Sequence, residues 1–270
     1  MIQDCPPVTH PSVGGGAVMA WRDGACPEAG RVERAIERAI AIAYGVAYDG
    51  VVSGFAPYQA LLDDIVDVLA RAGHGRRLRI LDVACGTGTL ARRLARAGHT
   101  VTGLDLVAHL VARARRHSDV RVRFAHADVS AGASFPDASF DACVSLHTLN
   151  WHPRPLALLR ECRRLLRPGG HAVIACYTRP PALRATFGAV RAAHGVGAAI
   201  AALRWLAPTA VFEACRHYDA RYPDAPALHQ ELAAAGFDTV ESRPVFLAGV
   251  SRLVRARLAD CGSDDHDPTL

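Results

Sequence analysis

The stretch from Arg79 to Leu90 constrains the fold of this chain more than any other. Its apolar residues Ile80, Leu81 and Val83 form a short run that is typical of a strand buried on both faces. Gly86 and Gly88 follow and permit a sharp bend that brings bare backbone close to a ligand. The next residues carry apolar side chains one helical turn apart. The stretch therefore predicts a strand, a glycine loop and a helix, an arrangement that many nucleotide-binding folds share.

A second candidate strand ends in an acid. The apolar run from Val101 to Leu104 is followed by Asp105, seventeen residues after Gly88. A carboxylate at the end of the second strand can accept hydrogen bonds from both hydroxyls of a ribose. Asp105 could also cap the helix that is predicted to begin near Ala108, and the two roles can coexist.

Asp82, just before the glycine bend, indicates which ligand the bend receives. Dinucleotide sites place a pyrophosphate against such a loop and the following helix N-terminus. A carboxylate there would repel that anion. S-adenosylmethionine carries no phosphate but has a sulfonium and an ammonium group, so an acid beside the loop favours this ligand.

The segment 81–88 resembles the first motif of class I S-adenosylmethionine-dependent methyltransferases, of the small-molecule type with an inserted lid. Ala84 stands where that family's first glycine is usual. The resemblance covers about residues 45–258. It implies an α/β fold with a seven-stranded, mostly parallel sheet, helices on both faces, an antiparallel last strand and a helical cap or lid. It also implies S-adenosyl-L-methionine as cofactor.

The resemblance further implies a set of cofactor-binding residues. Asp128 follows the third predicted strand, where the family's acid receives the adenine amino group; the alternative is an ordinary loop acid. The full set is Asp82, Ala84, Gly86, Gly88, Asp105, Leu106, Ala127, Asp128 and Ser145.

The loop after the fourth predicted strand is the candidate site for substrate chemistry, because ligands sit beyond the carboxyl ends of parallel strands. His147 and His152 are the candidate catalytic residues there, and the alternative for each is a hydrogen-bonded structural histidine. Ser145 and Tyr177 stand near positions where metal-dependent O-methyltransferases have acids. The sequence therefore predicts no metal.

The predicted organisation is one main domain with flexible ends. Residues 1–29 are expected to be a flexible lead-in, 30–258 the methyltransferase domain, and 259–270 a flexible tail. Within the domain we expect a helical cap at 30–76 and a lid insertion at about 179–222. The cap includes an amphipathic helix at 31–43. The insertion could instead be a helical brace.

Some aromatic residues of the cap and the lid are candidates for ligand contact. Tyr48 and Tyr58 in the cap could touch ligand or simply pack the cap onto the sheet. The candidate pocket walls of the lid are Phe187, Trp205, Phe212, His217 and Tyr218.

The composition indicates which binding partners and which cellular compartment to expect. The net charge is +5, all basic residues are arginine, and aromatic residues are only 6% of the chain, so no nucleic-acid surface is predicted. The eight cysteines show no C-x-x-C spacing, which favours a reducing cytoplasm over zinc or disulfides. No signal pattern or membrane-spanning apolar run is expected. We expect a monomer or a homodimer.

The leading hypothesis is methyl transfer to a small-molecule acceptor by in-line displacement. A secondary metabolite or a quinone-like compound is the expected acceptor. The alternatives are a nicotinamide-dependent oxidoreductase and a non-catalytic partner protein that keeps the cofactor fold. RNA modification is a weaker variant.

Overall fold

A computed structural model describes Gly50, Val52 and residues 55–117, 122–215 and 221–259. The predictions for the lead-in, the helix at 31–43, Tyr48, and the tail beyond residue 259 lie outside these residues. The same holds for the side chain of Phe212 and for His217 and Tyr218.

The described chain alternates strands and helices. The helices are α1 (Ala56–Ala72), α2 (Thr89–Arg96), α3 (Ala108–Arg116), α4 (Pro155–Leu165), α5 (Leu183–Cys215) and α6 (Ala225–Ala234). The strands are β1 (Arg79–Val83), β2 (Thr100–Asp105), β3 (Val122–His126), β4 (Phe140–Leu146), β5 (Leu166–Tyr177), β6 (Phe237–Val245) and β7 (Ser251–Leu258). A short 3-10 helix, Val129–Ala131, follows β3.

The strands form one seven-stranded sheet with the order β3-β2-β1-β4-β5-β7-β6. Strands β1 to β5 are parallel to one another, and β7 runs antiparallel between β5 and β6. This confirms the predicted fold class. The chain order reverses between β1 and β4, and in open α/β sheets ligands bind at such a switch point, beyond the carboxyl ends of the strands.

The predicted boundary of the last strand pair was wrong. The sequence predicts two strands at 237–242 and 247–258 that are joined at Arg243 and Pro244, but in the structure both residues lie within β6, and the turn follows at 246–250. Proline has no backbone N–H to donate. Pro244 is tolerated because β6 is an edge strand that pairs only with β7, so its other side needs no donor.

Helices cover both faces of the sheet. One apolar core packs α1, α2, α3 and α5 against one face, and a second packs α4 and α6 against the other. The strands between them are apolar on both sides because neither face meets water. The glycine bend after β1 enters α2, and therefore belongs to the first layer.

Helix α5 changes one expectation. By length and composition alone, Leu183–Ala210 could cross a membrane, although no apolar run was expected to be long enough. Non-helical backbone at Gly195, with a positive φ that favours glycine (φ +84°, ψ 174°), interrupts the helix. Beyond that kink, Trp205 and Leu206 are buried in the core, so one face of the helix is used for packing.

Candidate functional site

The bend between β1 and α2 uses its two glycines differently. Both have positive φ, +55° at Gly86 and +80° at Gly88, which favours glycine. A Cβ at Gly88 would lie 2.5 Å from the Phe124 ring, whereas a Cβ at Gly86 would meet nothing within 4 Å. Gly88 therefore allows the Phe124 ring to pack against the bend, while Gly86 leaves open backbone that a ligand could approach. Ala84 also has a positive φ, +58°, in place of the family's first glycine.

The Asp82 carboxylate is buried beneath the start of α2. The residue is 2% exposed, and the backbone N–H of Ala91 in the first turn of α2 donates to the carboxylate. Its Oδ2 atom has no hydrogen-bond partner among the described residues. Burial, followed by the charge of Asp105, raises the pKa of Asp82 to about 7. A cationic group would compensate this buried anion.

Asp105 holds the bend from the end of β2. Its Oδ2 accepts the Gly86 N–H at 2.7 Å, and its Oδ1 accepts the Val107 N–H at 2.8 Å. Burial nevertheless raises the pKa of this carboxyl. Val107, and not Asp105, is the N-cap residue of α3. Each oxygen of Asp105 retains acceptor capacity for a hydroxyl donor.

The residues after β3 contact the end of β2 and the start of α4. The Ala127 N–H donates to the backbone oxygen of Asp105 at 3.0 Å. One oxygen of Asp128 accepts the N–H and the hydroxyl of Ser130, and the other accepts Arg154 Nη2 at 3.1 Å. Asp128 is therefore engaged with its own loop and with the start of α4. Its assignment to adenine stays a prediction.

Leu106, another residue predicted to bind the cofactor, is in contact with a histidine. His126 Nε2 lies 2.8 Å from the Leu106 carbonyl oxygen. The pair links the chain after β2 to the end of β3. The cofactor-binding role predicted for Leu106 stays a prediction.

His147 lies at the end of β4 in a dry, aromatic environment. Its Nε2 is 2.9 Å from the Ser251 hydroxyl, and its ring stacks on Tyr177 with 3.9 Å between centroids. Burial lowers the pKa of His147 to about 3. The imidazole is therefore neutral at physiological pH and can exchange a hydrogen bond, but it does not titrate there.

His152 and Ser145 have different surroundings. His152 is half-buried and its Nδ1 accepts the Arg154 N–H at 3.1 Å. Burial lowers the pKa of His152, while the charge of Asp128 opposes that shift. The Ser145 hydroxyl is buried in β4 without a partner among the described residues. The roles predicted for both residues stay predictions.

An aromatic cluster joins the end of the sheet to α1 and α5. Its central residue, Phe246, was not predicted from the sequence. Phe246, in the turn between β6 and β7, packs edge-on against Tyr58 at 6.3 Å and Trp205 at 5.0 Å, and lies 5.6 Å from His147. Tyr58 is thus packed into the cluster, with 3% exposure. Trp205, a predicted lid wall, also faces inward. No local pattern marks Phe246, because its partners are distant in sequence.

Asn150 is a second residue whose importance only the structure reveals. Its Nδ2 donates to the backbone oxygens of Tyr177 and Arg221, and its Oδ1 accepts the Tyr177 N–H at 2.9 Å. The side chain is completely buried. It fastens the loop after β4 to the end of β5 and to the chain before α6.

Comparison with known proteins extends this picture. Residues 81–174 match the methyltransferase domain family. A ubiquinone biosynthesis O-methyltransferase from Xanthomonas oryzae pv. oryzae is 41% identical over 107 residues, which are 38% of this chain and 45% of that protein. The chain thus spans somewhat less than half the length of this curated relative.

Two solved structures share the fold. The Burkholderia thailandensis 1,6-didemethyltoxoflavin-N1-methyltransferase, solved with 1,6-didemethyltoxoflavin and S-adenosylhomocysteine, has a TM-score of 0.57 at 23% identity and covers 89% of this chain and 94% of its own. The cyclase SpnF has a TM-score of 0.56 at 20% identity and covers 83% and 96%. Residues 81–174 therefore match the methyltransferase domain family, within a chain that shares the Rossmann-like fold found in class I S-adenosylmethionine-dependent methyltransferases.

Proposed function

We propose that this chain transfers a methyl group from S-adenosylmethionine to a small-molecule acceptor. The single observation that carries the proposal is Asp82. Its carboxylate is buried at the end of β1, with one oxygen unpartnered among the described residues and a pKa raised to about 7. Such a group is compensated by a cation and would repel a pyrophosphate, so it favours a cationic cofactor over a dinucleotide.

The donor would be held by three features of the chain. Asp82 would face its positive charge, Gly86 would offer open backbone, and Asp105 would accept the ribose hydroxyls. When bound, S-adenosylmethionine would supply an electrophilic methyl group. Because that group is already activated, the protein contributes chiefly alignment of the acceptor and exclusion of water.

The acceptor side of the proposed site is the aromatic cluster around Phe246. Tyr177 and His147 stack there, and Trp205 reaches the same cluster from α5. Aromatic walls suit a flat, largely apolar acceptor. Neutral His147 would orient such an acceptor through a hydrogen bond, with Ser251 as its own partner. On this proposal α5 is the predicted lid.

The curated relative narrows the choice of acceptor. It is named for ubiquinone biosynthesis and for O-methylation, over a matched region of 107 residues. That region supports a hydroxylated quinone-like or phenolic ring as the first class of acceptor to test. In hydroxyl methylation the oxygen forms a bond to the methyl carbon as the bond from that carbon to sulfur breaks, and the hydroxyl proton, still present near neutral pH because a phenol has a pKa of about 10, would pass to solvent.

Calorimetry on the purified full chain tests the cofactor assignment. Binding of S-adenosylhomocysteine is expected, and NAD should give no heat. Asp105→Ala should weaken the affinity by about 1–3 kcal/mol, the usual cost of unpairing such polar groups. Asp238→Ala, which removes an exposed acid on β6, is the control. Tight NAD binding, or an unchanged affinity in Asp105→Ala, would reject the assignment.

Transfer of labelled methyl groups to phenols and hydroxyquinones tests the reaction itself. His147→Ala should reduce turnover more than cofactor affinity. A protein that binds the cofactor but transfers no label to this panel, or to amine and thiol acceptors, would contradict methyl transfer. Such a result would indicate that the chain is a non-catalytic protein, or an enzyme with this fold that does not transfer methyl groups.

A further inference from the structure

The outer face of α5 carries an apolar stripe that the described chain leaves in water. Val196 is 59% exposed, Ile200 58% and Leu203 38%. They follow one another at helical spacings of four and three residues, so they share one face. A different face of the helix is fully buried at Ala199, Ala202 and Leu206. The exposed stripe is therefore distinct from the face that packs onto the core. We call residues 196, 200 and 203 the outer stripe.

The described chain begins beside this stripe. Arg204, the residue after Leu203, donates from Nη2 to the backbone oxygen of Gly50. Val52, two residues further on, is buried in the first core, and α1 follows directly. Gly50, the first described residue, therefore contacts α5, and the residues N-terminal to it connect to the described chain at this point.

The sequence N-terminal to Gly50 contains an apolar pattern at the same helical spacing. Residues 31–43 have apolar side chains at helical spacing, namely Val32, Ala35, Ile36, Ala39 and Ile40. A helix of this length would extend for about 20 Å, and the outer stripe runs for about 10 Å along α5. Six residues, 44–49, join the segment to Gly50, and they can span at most about 20 Å. The connection is thus long enough for a helix to turn back and short enough to confine it nearby.

We propose that residues 31–43 form an amphipathic helix whose apolar face docks on the outer stripe. Apolar residues at spacings of three and four are the usual anchors of a helix in such a contact. The short connection gives this segment an effective concentration in the millimolar range, which a second copy of the chain or another protein does not have at ordinary concentrations. Membrane lipid and a second copy are the competing occupants, and the test separates them.

Hydrogen–deuterium exchange on the full chain measures whether the segment is docked. In the parent protein, amides of residues 31–43 should be protected. Ile200→Asp puts a charge in the outer stripe and should increase their exchange rate tenfold or more. Val240→Asp is the matched control, since Val240 is an exposed apolar residue, 48% accessible, on β6. It should leave the exchange of residues 31–43 unchanged.

The reciprocal variant guards against a general loss of structure. Ile36→Asp should increase exchange in peptides covering 196–207 while the amides of β1 and β4 stay protected. Unprotected residues 31–43 in the parent, or protection that survives Ile200→Asp, would overturn the proposal. So would a parent dimer that Ile200→Asp dissociates, or flotation with anionic phosphatidylserine vesicles that Ile200→Asp abolishes. These outcomes do not depend on cofactor binding or methyl transfer.

Discussion

The backbone N–H of Gly86 donates to Oδ2 of Asp105 across 2.7 Å, so the bend after β1 and the end of β2 are held together. The same carboxylate accepts a second N–H, from Val107 at the entrance to α3. One buried acid thus orders two loops at the carboxyl edge of the sheet. A ligand that bonds to Asp105 therefore meets an acceptor whose orientation is already fixed.

Substitution of the two glycines of the bend should separate binding from stability. Gly88→Ala places a Cβ 2.5 Å from the Phe124 ring at φ +80°, and should reduce the free energy of unfolding by about 2–4 kcal/mol. Gly86→Ala meets no neighbour and should cost only about 1 kcal/mol through its positive φ.

Cofactor affinity should show the opposite ranking. Relative to the stability that each variant loses, Gly86→Ala should weaken cofactor binding more than Gly88→Ala, because the open side of Gly86 is the proposed approach to the ligand. Urea unfolding and calorimetry with S-adenosylhomocysteine measure the two quantities. Equal stability losses for both variants would contradict the packing role assigned to Gly88.

The stability conferred by Asp82 should depend on pH. Because burial raises its folded pKa to about 7, above the ordinary value of 3.8 for an aspartate, the native state binds more protons than the unfolded chain between these values. Native stability therefore falls as the pH rises across that window. Asp82→Asn does not titrate and should gain about 3 kcal/mol relative to the parent between pH 5 and pH 8.

Cofactor binding should respond to the same titration with the opposite sense. The charged form of Asp82 is the one that faces a cation, so affinity for S-adenosylhomocysteine, which keeps the ammonium, should weaken as the pH falls below about 7. Asp82→Asn should bind more weakly and lose this dependence. A pH-dependent affinity that survives in Asp82→Asn would show that another group is responsible.

His147 should affect stability in acid. Burial lowers its folded pKa from 6.5 to about 3, so the unfolded chain binds the extra proton between these values and native stability falls as the pH drops through that window. His147→Gln should therefore gain about 2 kcal/mol relative to the parent between pH 8 and pH 5. Denaturant midpoints at the two pH values measure this, with His229→Gln as a half-buried control. A constant difference would mean that the ring is not held neutral.

Asn150 should be a main determinant of stability in the loop after β4. Asn150→Ala removes the hydrogen bonds of this side chain to the buried backbone groups of Tyr177 and to the half-buried backbone oxygen of Arg221, and should cost about 2–4 kcal/mol. Thr148→Ala, in the same loop, removes one half-buried hydrogen bond of 3.4 Å and should cost less than about 1 kcal/mol. Thermal unfolding compares them, and similar losses would argue against a special role for Asn150.

The sequence predicted the parts of the site that depend on neighbouring residues. The strand, bend and helix at Arg79 to Leu90 were expected, and the structure places β1 and α2 there. Asp105 was expected at the end of the second strand and is found there. The spacing of the apolar residues in α2 predicts that Arg92 faces solvent, but Arg92 instead donates to the backbone oxygen of Thr87 at 2.7 Å and supports the bend. A long side chain can fold back in this way without any sign in the hydrophobic pattern.

The sequence by itself determined the order of strands and helices, the acidic glycine bend and the acid that ends β2, because these follow from spacing along a few consecutive residues. Only the tertiary structure decided that Phe246 packs against Trp205, that His147 is neutral beside Ser251, and that Asn150 binds Tyr177. These contacts join residues far apart in the chain. Burial and hydrogen bonding of that kind are properties of the assembled core, and no local pattern encodes them.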